Sequence, residues 1–276
     1  MPKLLALDLD GTTFSVGTAI PEENLLRLRQ AKECGTIICF VTGRKCLDPL
    51  THLWDLADYF IMNNGSRLIK MPDQTELFNK LVTAETADRL IAFCNKNDVV
   101  LNIATDNYWG INRPSDLANL YMEIWGQKPE RYQTRHDLPF QEIDGFVACE
   151  NYHLAVEYIH NSGLDLYCAE SEPGTVDIMP GGVNKWLATK WLAESLNISQ
   201  KDIVSAGNYR NDIELIVGAG VGVAVQNALD DVKSYANYVT KRTNCEGAVA
   251  ELIEKGTETI WAWSLTRPIV SKLSCG

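Results

Sequence analysis

Two carboxylates, Asp8 and Asp10, stand two residues apart where the apolar run Leu4-Leu5-Ala6-Leu7 gives way to Gly11-Thr12. The run has the character of a strand buried on both faces, with Asp8 as its last residue and Asp10-Gly11 as the turn that leaves it. Carboxylates this close repel each other unless a cation or a shared proton offsets the charge. A hard divalent cation such as Mg2+ takes oxygen ligands in such a setting. An ordinary strand closed by an Asp-Gly turn fits the same letters, because both residues favour turns. The segment alone leaves both readings open.

Three more polar clusters stand at the ends of apolar segments: Thr42-Gly43-Arg44, Lys185, and Gly207-Asn208-Tyr209-Arg210-Asn211-Asp212. Lys185 opens a helical pattern, where an ammonium meets the unfavourable positive end of the helix dipole. A lysine needed there to hold an anion explains the placement better than a surface lysine does. Taken together the clusters supply what phosphoryl transfer requires. One carboxylate attacks and a second serves as acid and base. A hydroxyl and an ammonium grip phosphate oxygens, and further oxygens complete a Mg2+ site.

The elements that must position these residues alternate. Strand patterns cover residues 36–41 and 59–62, with a helix from Pro21 to Gly35 whose apolar stripe comprises Leu25, Leu26, Leu28 and Ala31. A helix is expected near Leu47 to Leu56, with Pro49 in its first turn, and a short hairpin within residues 13–20. Strand, helix and strand in this length make a right-handed βαβ unit with parallel strands. Its polar strand ends then fall on the edge where open α/β sheets bind ligands.

From about Leu81 the pattern changes to helix 81–97, a hairpin over 99–111, helix 114–125, then strand, helix, strand, strand over 143–179. This is an aromatic-rich α+β insert. Alternation resumes with a helix capped by Asn184, whose apolar face comprises Leu187, Ala188, Trp191 and Leu192, and a strand over 203–206. A helix over 213–217, strands at 221–225 and 238–239, and helices over 228–235 and 246–255 complete the pattern. The expected fold is α/β, a Rossmann-like parallel-sheet core formed by 1–80 and 183–276 with an inserted α+β cap domain, 81–182. The tryptophans of the tail, Trp261 and Trp263, are expected to pack on the core.

With 276 residues, 46% of them hydrophobic and 22% charged, the chain has ample core material for one large and one smaller domain. A net charge of −11 argues against nucleic acid or an anionic membrane as partner, and requires local positive charge for any anionic substrate. The 8 cysteines form no CxxC pair and no zinc spacing, so buried reduced thiols are expected. No apolar stretch approaches bilayer length and no signal peptide is evident, which points to the cytoplasm.

The chain resembles a haloacid dehalogenase (HAD) superfamily phosphatase of the Cof-type subfamily. Asp8-Leu9-Asp10-Gly11-Thr12 is similar to the first motif of that family and Thr42-Gly43-Arg44 to the second. Lys185, after Pro180-Gly181-Gly182-Val183, is similar to the third, and Gly207 to Asp212 to the fourth. Asn64-Gly65, residues 223–228 and Tyr238-Val239-Thr240 also resemble Cof-type signatures, so the likeness runs to about Lys255.

The resemblance implies that Asp8 is the nucleophile that forms an aspartyl-phosphate and that Asp10 is the acid/base. It implies Mg2+ as cofactor on Asp8, Asp10 and Asn208, and phosphate binding by Thr42, Gly43, Lys185 and Asn211, with Asp212 and Asn64 in support. The implied reaction is hydrolysis of small phosphorylated metabolites, sugar phosphates among them, by a monomer or homodimer. Cap aromatics such as Tyr108, Trp109, Tyr121 and Trp125 are candidates to stack on the leaving group. Two departures stand out. Asn208 replaces the aspartate usual for the family, which removes one charge from the metal site and leaves open a phosphometabolite-binding protein with weakened turnover. Trp186 stands where glycine often follows the motif lysine, either narrowing the entrance or packing under the cap. A phosphotransferase or sugar-phosphate mutase would use the same aspartyl-phosphate while excluding water from it.

Overall fold

The structure, a computed structural model, describes residues 2–105 and 107–255, without the side chains of Ile124 and Trp125. The roles expected of Trp125, Trp261 and Trp263 therefore lie outside the described residues.

The chain opens with β1 (Leu4–Leu7), α1 (Glu22–Glu33), β2 (Ile37–Val41), β3 (Tyr59–Met62), β4 (Arg67–Lys70) and β5 (Thr75–Asn79). The middle of the chain forms α2 (Ala84–Lys96), β6 (Leu101–Thr105), β7 (Tyr108–Ile111), α3 (Asp116–Trp125), β8 (Glu130–Arg131), β9 (Phe146–Ala148), α4 (Tyr152–Ser162), β10 (Leu166–Glu172) and β11 (Thr175–Pro180). Then follow α5 (Lys185–Ser195), β12 (Ile203–Gly207), α6 (Ile213–Gly218), β13 (Val221–Ala224), α7 (Asp230–Lys233) and β14 (Tyr238–Val239). Helix α8 covers residues 248–255.

The first sheet has the order β14-β13-β12-β1-β2-β3-β4-β5, parallel from β14 to β3. Every β1 residue is buried because alternate side chains face opposite layers. Leu5 and Leu7 pack with Leu28 and Ala31 of α1 and Val249 and Leu252 of α8, whereas Leu4 and Ala6 pack with Ala188 and Leu192 of α5 and Leu215 of α6. The chain builds outward from β1 to β3 on one side and from β12 to β14 on the other. The two directions diverge between β1 and β12, and the carboxyl ends there open the crevice in which doubly wound sheets bind ligands.

The second sheet has the order β10-β11-β9-β6-β7-β8, antiparallel except for the short β7–β8 pair. Leu101, Ile103, Phe146, Ala148, Val176 and Ile178 bury one face against α2 and α4. Period two turns Asn102, Val147 and Asp177 to the other face, toward the mouth of the first sheet.

Local differences from expectation have identifiable causes. Strand β1 stops at Leu7, and Asp8 precedes one wide helical turn, Leu9–Thr13, closed by the Phe14 N–H on the Leu9 carbonyl at 2.8 Å. Residues 15–19 form a tight loop instead of a hairpin of strands. The segment after Leu47 makes only a 3-10 helix, Asp48–Leu53. The β4–β5 hairpin had no sequence signal, because β5 is solvent-facing at nearly every position. Leu26, placed in the α1 stripe, is exposed. On α5, Ala188 and Leu192 face the sheet, while Leu187 and Trp191 are 43% and 45% exposed. These two apolar stripes lie side by side, and only packing chooses between them. The exposed one lines an outer groove in which Trp191 meets Phe78 edge-to-face at 5.2 Å. Trp186 is half-buried and packs on Gly218 of α6 against the core of the first sheet, not under the second sheet. Among the described residues no helix is long and apolar enough to cross a membrane.

Candidate active site

Lys185 is the pivot of the crevice floor. Its Nζ donates to Asp8 Oδ1 at 2.8 Å and to Asp212 Oδ1 at 2.6 Å, and the lysine is 1% exposed. The local sequence explains how it reaches there. Asn184 caps α5 by accepting the Leu187 N–H at 2.7 Å, and its backbone lies against Gly65, where any Cβ would fall 2.2 Å from the Asn184 carbonyl. Gly65 also adopts φ +107°, so a glycine at the end of β3 lets the helix start approach the strand ends.

Burial pulls the Lys185 ammonium down, but the charges and hydrogen bonds of Asp212 and Asp8 outweigh it and hold the group above its ordinary value. The lysine therefore stays charged. Burial, reinforced by the Asp212 charge and opposed by Lys185, pushes the Asp8 carboxyl up to about 7. The second Asp212 oxygen accepts the backbone N–H groups of Asn208 (2.8 Å) and Tyr209 (3.1 Å), which fixes the loop after β12.

Asp10 points to the cavity, half-exposed, and Arg44 grips it in bidentate fashion at 2.7 and 2.6 Å. Arg44 lies in a motif noted in the sequence but had been given no role there. Thr42 is buried, and its Oγ1 accepts the Arg44 N–H at 3.1 Å. Asn64, at φ 50°, donates to Asp177 Oδ2 at 2.7 Å and accepts from Asn211 Nδ2 at 3.0 Å. Gly43 leaves room for that bridge, since a Cβ would meet Asn64 and Asp177 atoms at 3.2–3.4 Å. Asp177 was missed in the sequence, although a lone acid inside the apolar stretch Val176–Met179 was the available signal.

One end of the Asn208 side-chain amide lies 3.0 Å from Thr12 Oγ1, 2.9 Å from the Asp10 carbonyl oxygen and 3.2 Å from Asp8 Oδ2. As nitrogen, that end donates to all three. As oxygen, it makes three oxygens of Asp8, Asp10 and Asn208 converge, which requires a cation among them. The 2.9 and 3.2 Å separations match the edge of an octahedron, about 3 Å for Mg–O bonds of about 2.1 Å. The donor set thus fits Mg2+, with a carboxylate, a carbonyl and an amide as ligands.

The residues expected from the sequence to serve as nucleophile, acid/base, phosphate ligands, metal ligands and their supports lie on this one crevice. Asp8, Asp10, Gly43, Asn208 and Asn211 border a cavity of about 750 Å3 between the two sheets. Thr42, Asn64, Lys185 and Asp212 stand directly behind them. The far wall comes from the second sheet and α3. Arg210 ties the layers together, with Nη1 donating to both Glu170 oxygens at 2.9 Å. Burial pushes the thiol of Cys149, also on the wall, up to about 12, which disfavours the thiolate there.

A family model described as haloacid dehalogenase-like hydrolase matches residues 5–253. The chain belongs to this family. The hydrolase is 28% identical over 255 residues to the 5-amino-6-(5-phospho-D-ribitylamino)uracil phosphatase YcsE of Bacillus subtilis, covering 91% of this chain and 94% of that one. It is 26% identical to an HMP-PP phosphatase of Cronobacter sakazakii, with 83% and 86% covered. Its fold is that of BT1666, a HAD-superfamily phosphatase from Bacteroides thetaiotaomicron (TM-score 0.81, 21% identity, 92% and 94% covered). The HAD subclass IIB sugar phosphatase BT4131 shares it too (TM-score 0.79, 22% identity, 91% and 98% covered). This hydrolase is accordingly an enzyme of the phosphoric monoester class, with the α/β core and cap architecture expected from its sequence.

Proposed function

We propose that this hydrolase is a Mg2+-dependent phosphatase of small phosphorylated metabolites, sugar phosphates among them, acting in the cytoplasm through an aspartyl-phosphate on Asp8. The observation that carries the reading is the Lys185 ammonium bonded to Asp8 and Asp212 on a floor that also presents Asp10. Asp8 attacks phosphorus, and the bond to the leaving-group oxygen breaks as that oxygen takes a proton from Asp10. Asp10 then removes a proton from water, which attacks the phosphoryl group and frees Asp8. Both Asp10 oxygens accept from Arg44, which holds this carboxylate at the floor of the cavity.

Lys185, Thr42 and backbone N–H groups near Gly43 offset charge on the transferring oxygens, with Asn211 beside them. Asp8, the Asp10 carbonyl and Asn208 would hold Mg2+, which when bound supplies Lewis-acid neutralisation of phosphate charge. We assign residues 81–182 the role of a cap that selects the leaving group and shields the first step from water. Wild-type protein with Mg2+ is expected to release phosphate from a metabolite panel. The Asp8→Asn variant should lose at least about ten-thousand-fold in kcat. Release that survives this substitution would sink the nucleophile assignment.

A further inference from the structure

The wall opposite Asp8 carries a charge pattern of its own. Among the described residues that border the cavity from the second sheet and α3, the charged ones are Glu172 and Asp177, both carboxylates. Polar Asn102 and aromatic Trp109 and Tyr121 stand beside them. Glu172 is exposed to the cavity and held in place by the Tyr121 hydroxyl, which donates to its Oε1 at 2.8 Å. The basic side chains on the opposite side are already engaged, Arg44 by Asp10 and Lys45 by Asp144 at 3.4 Å. Lys45 also acts on Asp177, so Glu172 is the wall carboxylate that forms no ion pair with a basic group among the described residues. A second anionic group on a substrate would meet repulsion there, whereas an ammonium or a dense set of hydroxyl donors would be matched.

We infer that the cap wall selects amine-bearing, donor-rich leaving groups, with Glu172 as the specificity-determining residue, and discriminates against leaving groups that carry a carboxylate or further phosphate. The inference rests on the phosphatase reading for its assay but on the wall's own charges for its content. Glu172 can accept from an ammonium through the oxygen not bonded to Tyr121. Trp109 is itself fixed, its Nε1 donating to Asn102 Oδ1 at 3.3 Å. The aromatic surface is thus rigid while the carboxylate is the adaptable contact.

The test compares kcat/KM for glucosamine 6-phosphate, glucose 6-phosphate and 6-phosphogluconate, with p-nitrophenyl phosphate as a leaving group without donors. The expected order is amine over hydroxyl over carboxylate, with at least about tenfold between amine and hydroxyl, the worth of one charge-assisted hydrogen bond. Glu172→Gln should compress the amine-to-hydroxyl ratio toward one, with circular dichroism confirming that this exposed substitution leaves the fold intact. A carboxylate-bearing substrate that equals or beats the amine overturns the inference. So does a ratio unchanged in the variant. If no compound, p-nitrophenyl phosphate included, releases phosphate in Mg2+, the phosphatase reading falls instead. The same ranking measured as Kd by calorimetry then decides the preference of the wall.

Discussion

The floor and the wall of the cavity are built by opposite means. On the floor, Asp8, Lys185 and Asp212 are buried and bonded to one another, and the loop after β12 is pinned by Asp212. On the wall, Glu172 is exposed, and among the described residues its carboxylate accepts one hydrogen bond, from a half-buried tyrosine. Buried charges survive only when fully paired, so the floor tolerates no partial change. An exposed carboxylate keeps its hydration and can exchange partners at small cost. The difference suits chemistry that stays constant on one side and a leaving group that varies on the other.

The sharpest way to break this contrast is to unpair the floor. Lys185→Met leaves Asp8 and Asp212 facing each other without their shared cation. Urea unfolding is expected to show a loss of about 3–5 kcal/mol. A loss below 1 kcal/mol would mean that the floor is as loosely held as the wall.

Asn208 tests the metal side of the same floor. Its amide can donate to Asp8 and the Asp10 carbonyl when no cation is present, and can offer its oxygen when one is. Asn208→Asp removes the donor and adds a charge. Calorimetric Mg2+ affinity should rise about tenfold or more, the worth of one charge-assisted contact. The same variant should melt below wild type in chelator, because its carboxylate then meets Asp8 and the Asp10 carbonyl unscreened. Equal melting temperatures in chelator would remove the donor role from Asn208.

The smallest effect belongs to Asp177, which lies between the two regions. Burial raises its carboxyl above the ordinary value, with the bonds from Ser171 and Asn64 and the Lys45 charge opposing. A carboxyl whose folded value is raised contributes stability that is full below its unfolded value and is lost as pH rises through the folded one. Asp177→Asn abolishes that loss and keeps an acceptor for Asn64. Its melting temperature relative to wild type should therefore increase from pH 4 toward pH 7. A difference that is flat with pH would show that ionising Asp177 costs the fold nothing.

Much of the fold was legible because apolar runs and polar strand ends leave local marks. The Leu4–Leu7 run, the capped start of α5 and the polar turn after β12 each follow from residues close in sequence. The edge hairpin β4–β5 left no such mark, since its exposed side chains need no periodicity. The second apolar stripe of α5 was read as core because Leu187 and Trp191 are as hydrophobic as Ala188 and Leu192. Trp186 likewise gave no sign that Gly218, across the core, leaves the space it fills.

For the site, the sequence determined which chemical groups exist and on which strand and helix ends they stand, because backbone propensity and capping act over a few residues. Tertiary structure alone decided their partners. That Lys185 bridges Asp8 and Asp212, that Arg44 grips Asp10, and that Asn64 joins Asp177 to Asn211 are contacts between residues distant in the chain. Their pairing depends on which strands become neighbours and on how deeply water is excluded between them, and the strength of each charge depends on the same burial.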